Sequence, residues 1–178
     1  MQIIETFELP GIKLLKPSIF NDSRGYFFED YNKRKFDSLI KRNINFVQSN
    51  ESFSTRGTIR GFHYQKDPFF QEKLIRVISG EIIDVALCID KESKNFGKYQ
   101  SVILNDTNKY LFWIPYGYAH AFQVLSEIAI VNYKTTKLYN IDSEVSIKFN
   151  DNEVNFDWPL KNSNISNKDK EGISLNKI

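Results

Sequence analysis

Short apolar runs separated by turn residues are the feature of this sequence that most limits its possible folds. The runs cover residues 74–78, 82–87, 102–104, 110–114, 122–125, 128–133 and 145–149. The breaks between them include Asn105-Asp106 and the segment from Pro115 to Gly117, which favour turns. Many short strands joined by regular turns predict a mainly β protein with a sandwich or jelly-roll architecture. The 15 phenylalanines and 9 tyrosines agree with this prediction, because broad rings fit a pleated sheet.

Two local elements can be predicted within this pattern. The runs 74–78 and 82–87 flank Ser79-Gly80-Glu81, and this spacing predicts a β-hairpin that turns at Gly80. The clearest helix is predicted over about residues 32 to 42, where Phe36, Leu39 and Ile40 share one face. Asn32 precedes this helix as a candidate N-cap.

Composition limits the class of protein. A chain of 178 residues is long enough to bury its own core, and we expect one domain over residues 1–178. A net charge of +2 with interspersed acidic and basic residues predicts no nucleic-acid partner. No apolar run approaches the roughly 20 residues that cross a bilayer, so we expect no membrane partner. The single cysteine, Cys88, and the absence of a signal-peptide pattern lead us to expect a cytoplasmic location.

Only two histidines occur in the chain, His63 and His120. Imidazole has an unperturbed pKa that lets it accept or donate a proton near neutral pH. Both histidines lie in strand-rich segments with polar neighbours, and Lys73 follows His63 closely. The pair predicts a catalytic base with a helper, although a structural hydrogen-bonding role stays open for either histidine.

A series of sequence blocks resembles one known family. The blocks are DSRGYFFE at 22–29, QSNES at 48–52, RGFHYQ at 60–65, QEKL at 71–74, IPYGYAH at 114–120, YKTT at 133–136 and SNKD at 166–169. In this order and spacing they resemble the dTDP-4-dehydrorhamnose 3,5-epimerases over about residues 8 to 170. The resemblance implies a cupin jelly-roll sandwich with a few short helices, and a homodimer that swaps N-terminal strands.

The same resemblance implies a reaction that needs no cofactor. The substrate would be a nucleotide diphosphate sugar, a 4-keto-6-deoxy hexose whose C3 and C5 are inverted. The implied conversion is from dTDP-4-dehydro-6-deoxy-D-glucose, or a close analogue, to dTDP-4-dehydro-L-rhamnose. A C3-only epimerase or a ketoisomerase acting on another nucleotide sugar stays open, as does a cupin that binds a sugar nucleotide without catalysis.

Inversion beside a ketone requires one group to remove a proton and another to return one on the opposite face. A neutral His63 can act as the base, and the resemblance supplies Asp169 as the carboxylate behind it. Tyr133 is the predicted acid, and Lys73 would stabilise the enolate oxygen. Each of these residues, taken singly, also has an ordinary structural explanation. Tyr133 could be an aromatic ring of the core, Lys73 a solvated charge at the end of a strand, and Asp169 an ordinary carboxylate of the tail.

Binding residues form a second predicted set. Arg24, Arg60 and Lys168 could neutralise a pyrophosphate, because arginine offers paired donors that match phosphate oxygens. By the resemblance, Glu29 would bond the base edge and Tyr139 would stack on the base. The remaining ligand-contacting positions implied by the resemblance are Gln48, Ser49, Asn50, His120 and Glu144. A turn role for Arg24 and a surface role for Tyr139 stay open.

A metal site is not predicted. Many cupins hold a metal with two histidines one residue apart, whereas this chain reads His63-Tyr64-Gln65. The Lys73 ammonium offers no lone pair and would repel a divalent cation. We therefore expect neither a bound metal nor a metal-dependent oxygenase.

Overall fold

Strands make up most of the regular secondary structure of the protein. The structure is a computed structural model and describes residues 1–161 and 164–178. The strands are β1 (Gln2–Thr6), β2 (Lys13–Lys16), β3 (Ile19–Asp22), β4 (Gly25–Phe28), β5 (Gln48–Thr55), β6 (Thr58–Gln65), β7 (Lys73–Ser79), β8 (Glu81–Cys88), β9 (Tyr99–Asn105), β10 (Leu111–Ile114), β11 (Tyr118–Val124), β12 (Ile128–Thr135), β13 (Glu144–Ser146) and β14 (Asn164–Ile165). The helices are α1 (Lys33–Ile40) and α2 (Asn167–Lys170), with short 3-10 turns at Ile141–Ser143 and Leu175–Lys177.

Two sheets form the body of the fold. The first sheet has the order β1-β2-β10-β7-β12-β5, and the second has the order β13-β6-β11-β8-β9 with β14 beside β6. Within the described residues, neighbouring strands are antiparallel except for β14 and β6. The hairpin β3–β4 stands apart from both sheets. The predicted mainly β jelly-roll sandwich with a few short helices is confirmed.

The largest apolar core lies between the two sheets. Val77 and Val131 of the first sheet are buried there with Leu104 and Phe122 of the second. A second cluster covers the outer face of the second sheet with residues from the C-terminal segment. A third covers the outer face of the first sheet, where Phe36 of α1 is fully buried. That residues 1–178 form a single domain stays a prediction.

The turn at Gly80 does not form the predicted hairpin, so that prediction is wrong. β7 ends at Ser79 and pairs with β10 and β12, whereas β8 begins at Glu81 and pairs with β9 and β11. Gly80 therefore carries the chain from one sheet to the other. Its φ of +83° and the close approach of the Ile128 carbonyl, 2.0 Å from where a Cβ would stand, both require glycine. A local apolar pattern cannot distinguish this crossover from a hairpin, because both place a glycine between two strands.

The predicted helix is confirmed, although it is shorter than expected. α1 follows Asn32, whose side chain accepts a hydrogen bond from the Lys35 amide as an N-cap. It ends where Lys41 adopts a left-handed conformation with φ of 57°. Neither helix in the described part of the chain is long and apolar enough to span a membrane.

We predict that Gly80→Ala destabilises the protein more than Gly97→Ala. Both glycines have similar positive φ values, +83° and +78°, so both substitutions strain the backbone. A methyl group at Gly80 also meets backbone, whereas at Gly97 it meets only the end of the Leu175 side chain at 3.4 Å. In urea unfolding we expect a loss of about 3 kcal/mol or more for Gly80→Ala and about 1 to 2 kcal/mol for Gly97→Ala. Equal losses would show that the sheet crossover tolerates the extra methyl group.

Candidate active site

A polar cavity opens between the two sheets beyond the apolar core. It has a volume of about 240 Å³ and receives side chains from both sheets. The residues that line it are Ser52, Arg60, His63, Lys73, His120, Phe122, Tyr133, Glu144 and Lys168. A second cavity of about 430 Å³ shares Arg60, His63 and Lys168 with the first and also includes Asp169. The two cavities together bring most of the predicted site residues into one region.

Strand geometry explains why these polar side chains meet. Side chains two residues apart on a strand point to the same face. On β12, Val131 lies in the core and Tyr133 follows it on the inner face, at the cavity. On β11, Phe122 contacts the core and His120 lies toward the cavity, directly opposite His63 in the register with β6. The cavity is therefore the polar continuation of the core.

His63 is held by a buried carboxylate. Its Nε2 lies 2.6 Å from Oδ1 of Asp169, which is only 3% exposed. Burial by itself raises the pKa of Asp169, but hydrogen bonds from His63, Ser166 and Ser146 outweigh it and keep the pKa below its usual value. An ionised Asp169 accepts the Nε2 proton, which leaves Nδ1 of His63 as the nitrogen that can accept a proton.

Lys73 brings a buried positive charge to the cavity. Burial lowers its pKa to about 8, although the negative charges of Asp84 and Glu144 oppose that shift. Its Nζ donates to the His63 carbonyl at 3.4 Å, and it forms no ion pair with any other residue of 1–161 or 164–178. At neutral pH the group is an ammonium with little solvent around it, which makes it a strong site for a developing negative charge.

His120 is fixed by Asp84, a residue that our reading of the sequence missed. Nε2 of His120 lies 2.9 and 3.0 Å from the two carboxylate oxygens of Asp84, which is fully buried. Burial lowers the pKa of His120 despite the nearby carboxylate, so the ring is neutral and donates from Nε2. The signal for Asp84 was present in the sequence, because a carboxylate inside the apolar run 82–87 needs a buried partner.

Tyr133 reaches the cavity from the first sheet. Burial raises the pKa of its phenol, while the charge of Arg60 and a hydrogen bond with Asn50 act in the opposite direction. The phenol is therefore protonated at neutral pH. Arg60 is held beside it, because its Nε donates to Ser54 Oγ at 3.0 Å and its Nη2 to the Phe53 carbonyl at 3.3 Å.

A cluster of four polar side chains forms the rim of the cavity. Lys168 Nζ lies 2.5 Å from Glu144 Oε1, and the Tyr139 hydroxyl donates to Glu144 Oε2 at 2.8 Å. Burial alone raises the pKa of Glu144, but these two hydrogen bonds lower it overall. Gln48 joins the group because its Oε1 accepts from the Tyr139 amide at 2.9 Å. Tyr139 itself is exposed, so its ring face is available to a ligand.

Three predicted binding residues do not lie at this cavity. Ser49 points to the outer face of β5, where its hydroxyl accepts from Asn132 at 3.4 Å. Arg24 stands at the turn of the β3–β4 hairpin with its side chain 88% exposed and paired with Asp22. Glu29 follows that hairpin and pairs with Lys35. Of the predicted set, the remaining residues lie at or beside the two cavities.

A metal centre is not formed by the described residues. Within residues 1–161 and 164–178, no three histidine, cysteine, aspartate or glutamate side chains lie close enough together to hold an ion. His63 and His120 are each bonded to their own carboxylate. The cavity presents two histidines, a phenol and three cationic side chains, which are groups suited to proton transfer and anion binding.

Comparison with known proteins adds to this geometry. A model of the family described as dTDP-4-dehydrorhamnose 3,5-epimerase matches residues 6–177 of the chain. The chain belongs to this family. The family, and with it the class of carbohydrate epimerases, was predicted from the sequence blocks, and that prediction is confirmed.

Relatives match this member of the dTDP-4-dehydrorhamnose 3,5-epimerase family over nearly its full length. The dTDP-4-dehydrorhamnose 3,5-epimerase of Shigella flexneri is 43% identical over 172 residues, covering 97% of this chain and 94% of the relative. A crystal structure of dTDP-6-deoxy-D-glucose-3,5-epimerase from Legionella pneumophila, in complex with dTDP-4-keto-L-rhamnose, matches with a TM-score of 0.95 at 41% identity, covering 99% of this chain and 94% of that one. The dTDP-4-dehydrorhamnose 3,5-epimerase of Bacillus anthracis with TDP and PPi bound matches with a TM-score of 0.93 at 38% identity, covering 97% and 98%.

Proposed function

We propose that this protein inverts C3 and C5 of dTDP-4-dehydro-6-deoxy-D-glucose, or of a close analogue, to give dTDP-4-dehydro-L-rhamnose. The observation that carries the proposal is that His63 and Tyr133 line one cavity from opposite sheets. A hexose between them would have a base on one face and an acid on the other. The Legionella relative, whose structure is a complex with dTDP-4-keto-L-rhamnose, supports the same substrate class.

The proposed reaction begins at the base. Nδ1 of His63 removes the proton from the carbon beside the C4 ketone, and the electron pair of that C–H bond forms an enolate. Asp169 stabilises the imidazolium through its bond to Nε2. The Lys73 ammonium stabilises the negative charge at the C4 oxygen. C3 and C5 both adjoin C4, so the same groups serve both inversions.

The reaction ends at the acid. Tyr133 delivers its phenolic proton to the opposite face of the enolate carbon, which completes the inversion. The phenolate that remains is stabilised by Arg60, whose charge favours the ionised phenol. Exchange with solvent returns a proton to Tyr133 and removes one from His63, so each cycle is balanced without a redox partner.

The nucleotide part of the substrate would bind at the rim. Arg60 and Lys168 are the cations proposed to contact the diphosphate, since both line the two adjoining cavities. Gln48, Asn50 and the exposed ring of Tyr139 would receive the nucleoside. The predicted cytoplasmic location fits a sugar-nucleotide enzyme and stays a prediction.

We further propose that the protein acts as a homodimer whose β3–β4 hairpin completes the partner's site. Arg24 and Glu29 lie outside the cavity of their own chain, although both belong to the predicted binding set. The hairpin also exposes the aromatic side chains of Phe20, Tyr26 and Phe27, and Phe27 is 69% exposed. Exposed aromatic clusters of this kind are typical of protein interfaces. A second copy is the partner that would bring Arg24 to a diphosphate.

Solvent exchange tests the proposed chemistry. In D₂O, we expect the wild-type protein to place deuterium at C3 and C5 of dTDP-4-dehydro-6-deoxy-D-glucose, detected by NMR. His63→Ala should slow exchange by about 10²- to 10⁴-fold because it removes the base. Tyr133→Phe should still exchange deuterium through His63 but should lose inversion, since the returned proton comes from the same face.

The outcomes of that experiment separate the alternatives. Label at one carbon alone would identify a C3-only epimerase. A keto group found at C3 would identify a ketoisomerase. Tight binding without exchange, unchanged in His63→Ala, would identify a protein that only binds the sugar nucleotide.

The pH dependence of turnover tests the role of Lys73. The ammonium is present below its pKa of about 8 and is lost above it, so we expect kcat to fall as the pH rises through about 8. Burial keeps the Tyr133 phenol protonated in that range. Lys73→Met should lower kcat about 10²- to 10³-fold at pH 7 and should remove the decline above pH 8. Lys94 is exposed, and its variant Lys94→Met serves as the control. The same decline of kcat above pH 8 in Lys73→Met would contradict the proposed role of Lys73.

Subunit complementation tests the proposed dimer. Co-expressed Arg24→Ala and His63→Ala chains form mixed dimers in which one site combines an intact hairpin with an intact base. If the partner supplies Arg24, the mixture should recover up to about one quarter of wild-type activity, well above either variant alone. No recovery in mixed dimers of verified composition would place Arg24 in its own chain's site, whereas wild-type activity of Arg24→Ala alone would place it outside the reaction.

A further inference from the structure

Strand β5 presents a row of polar side chains to the inside of the first sheet. Gln48, Asn50, Ser52 and Ser54 occupy alternate positions and are less exposed than the residues between them. They pair in register with the inward residues of β12, including Asn50 with Tyr133. Because cross-strand partners point to the same face, the row lies on the same face of the sheet as the proposed acid.

The neighbours of Ser52 in this row already have partners. Asn50 is hydrogen-bonded with the Tyr133 phenol, and Ser54 accepts from the Arg60 guanidinium. Ser52 stands between them and lines the cavity of about 240 Å³. Its Oγ is buried, and among the described residues no hydrogen-bond partner lies within reach.

An unpaired buried hydroxyl needs a physical explanation. Polar groups removed from water lose hydrogen bonds, so they are usually paired within the protein or with a ligand. Ser52 can both donate and accept, whereas its cavity neighbours Arg60, Lys73 and Lys168 only donate. These cations favour an anionic ligand oxygen beside Ser52, and toward such an oxygen the hydroxyl acts as a donor.

We propose that Ser52 is a further substrate-binding residue, whose hydroxyl donates to an oxygen of the phosphate that carries the sugar. The proposal rests on the proposed function, in which Arg60 holds the diphosphate and Tyr133 meets the sugar ring. On β5, Ser52 lies between Asn50, which bonds to Tyr133, and Ser54, which bonds to Arg60. It therefore faces the point where the diphosphate would join the sugar. It would therefore fix the position of the ring between acid and base.

Binding of ligands of increasing length to Ser52→Ala tests this assignment. We would titrate dTMP, dTDP and unreactive dTDP-glucose into the wild-type and variant proteins by calorimetry. We expect about a tenfold loss of affinity for dTDP and dTDP-glucose, the size of one hydrogen bond to a charged group, and no loss for dTMP. Thr55→Val, which removes an exposed hydroxyl from the outer face of the same strand, should bind all three ligands as the wild type does.

The other outcomes overturn the proposal. Equal affinities in Ser52→Ala and wild type would exclude a substrate contact. A loss for dTDP-glucose alone would move the contact to the sugar ring, and an equal loss for all three ligands would indicate a general change of the site. Ser52→Ala should also unfold at the same urea concentration as wild type or higher, because its hydroxyl makes no bond in the free protein. A wild type that binds none of the ligands would refute the proposed function, whereas a normal wild type with an unaltered variant would refute this inference alone.

Discussion

The alternation of side chains along β-strands is the constraint on which both the core and the cavity depend. On β12, Val131 lies in the apolar core while Tyr133, two residues later, lines the cavity. On β11, His120 lines the cavity between Tyr118 and Phe122, which both belong to the core. The apolar packing of each strand therefore holds its polar groups in fixed positions. Such preorganisation is what proton transfer and charge stabilisation require.

The buried charges of the site differ in how they are balanced. Asp84 and Asp169 each have a histidine, whereas Lys73 has only a backbone carbonyl within hydrogen-bonding distance among the described residues. A buried cation without an ion-pair partner is costly, and the lowered pKa of Lys73 records that cost. A ligand that develops negative charge beside it relieves the cost. The enolate of the proposed reaction would therefore be stabilised beside Lys73.

The sequence predicted the elements whose signals are local. Asn32 marked the start of α1, and the apolar runs marked most of the strands in the second half of the chain. It could not predict the sheet crossover at Gly80, because the partners of β7 and β8 are distant in sequence. Only the family resemblance predicted that Asp169 lies behind His63, because the two residues are 106 positions apart and no spacing rule links them. Ser52 was missed because an unpaired hydroxyl becomes visible only when its surroundings are known.

The position of Asp169 links the proposed base to packing outside the cavity. The C-terminal segment bonds to β13 and the residue after it, where Ile173 donates to the Ser146 carbonyl and Ile147 bridges to Ile173. Ile147 belongs to the apolar cluster on the outer face of the second sheet. Because that cluster holds the segment in place, the carboxylate behind His63 is positioned by apolar contacts on the outer face of the second sheet. The orientation of the base and its readiness to accept a proton thus depend on the outer core as well as on the cavity.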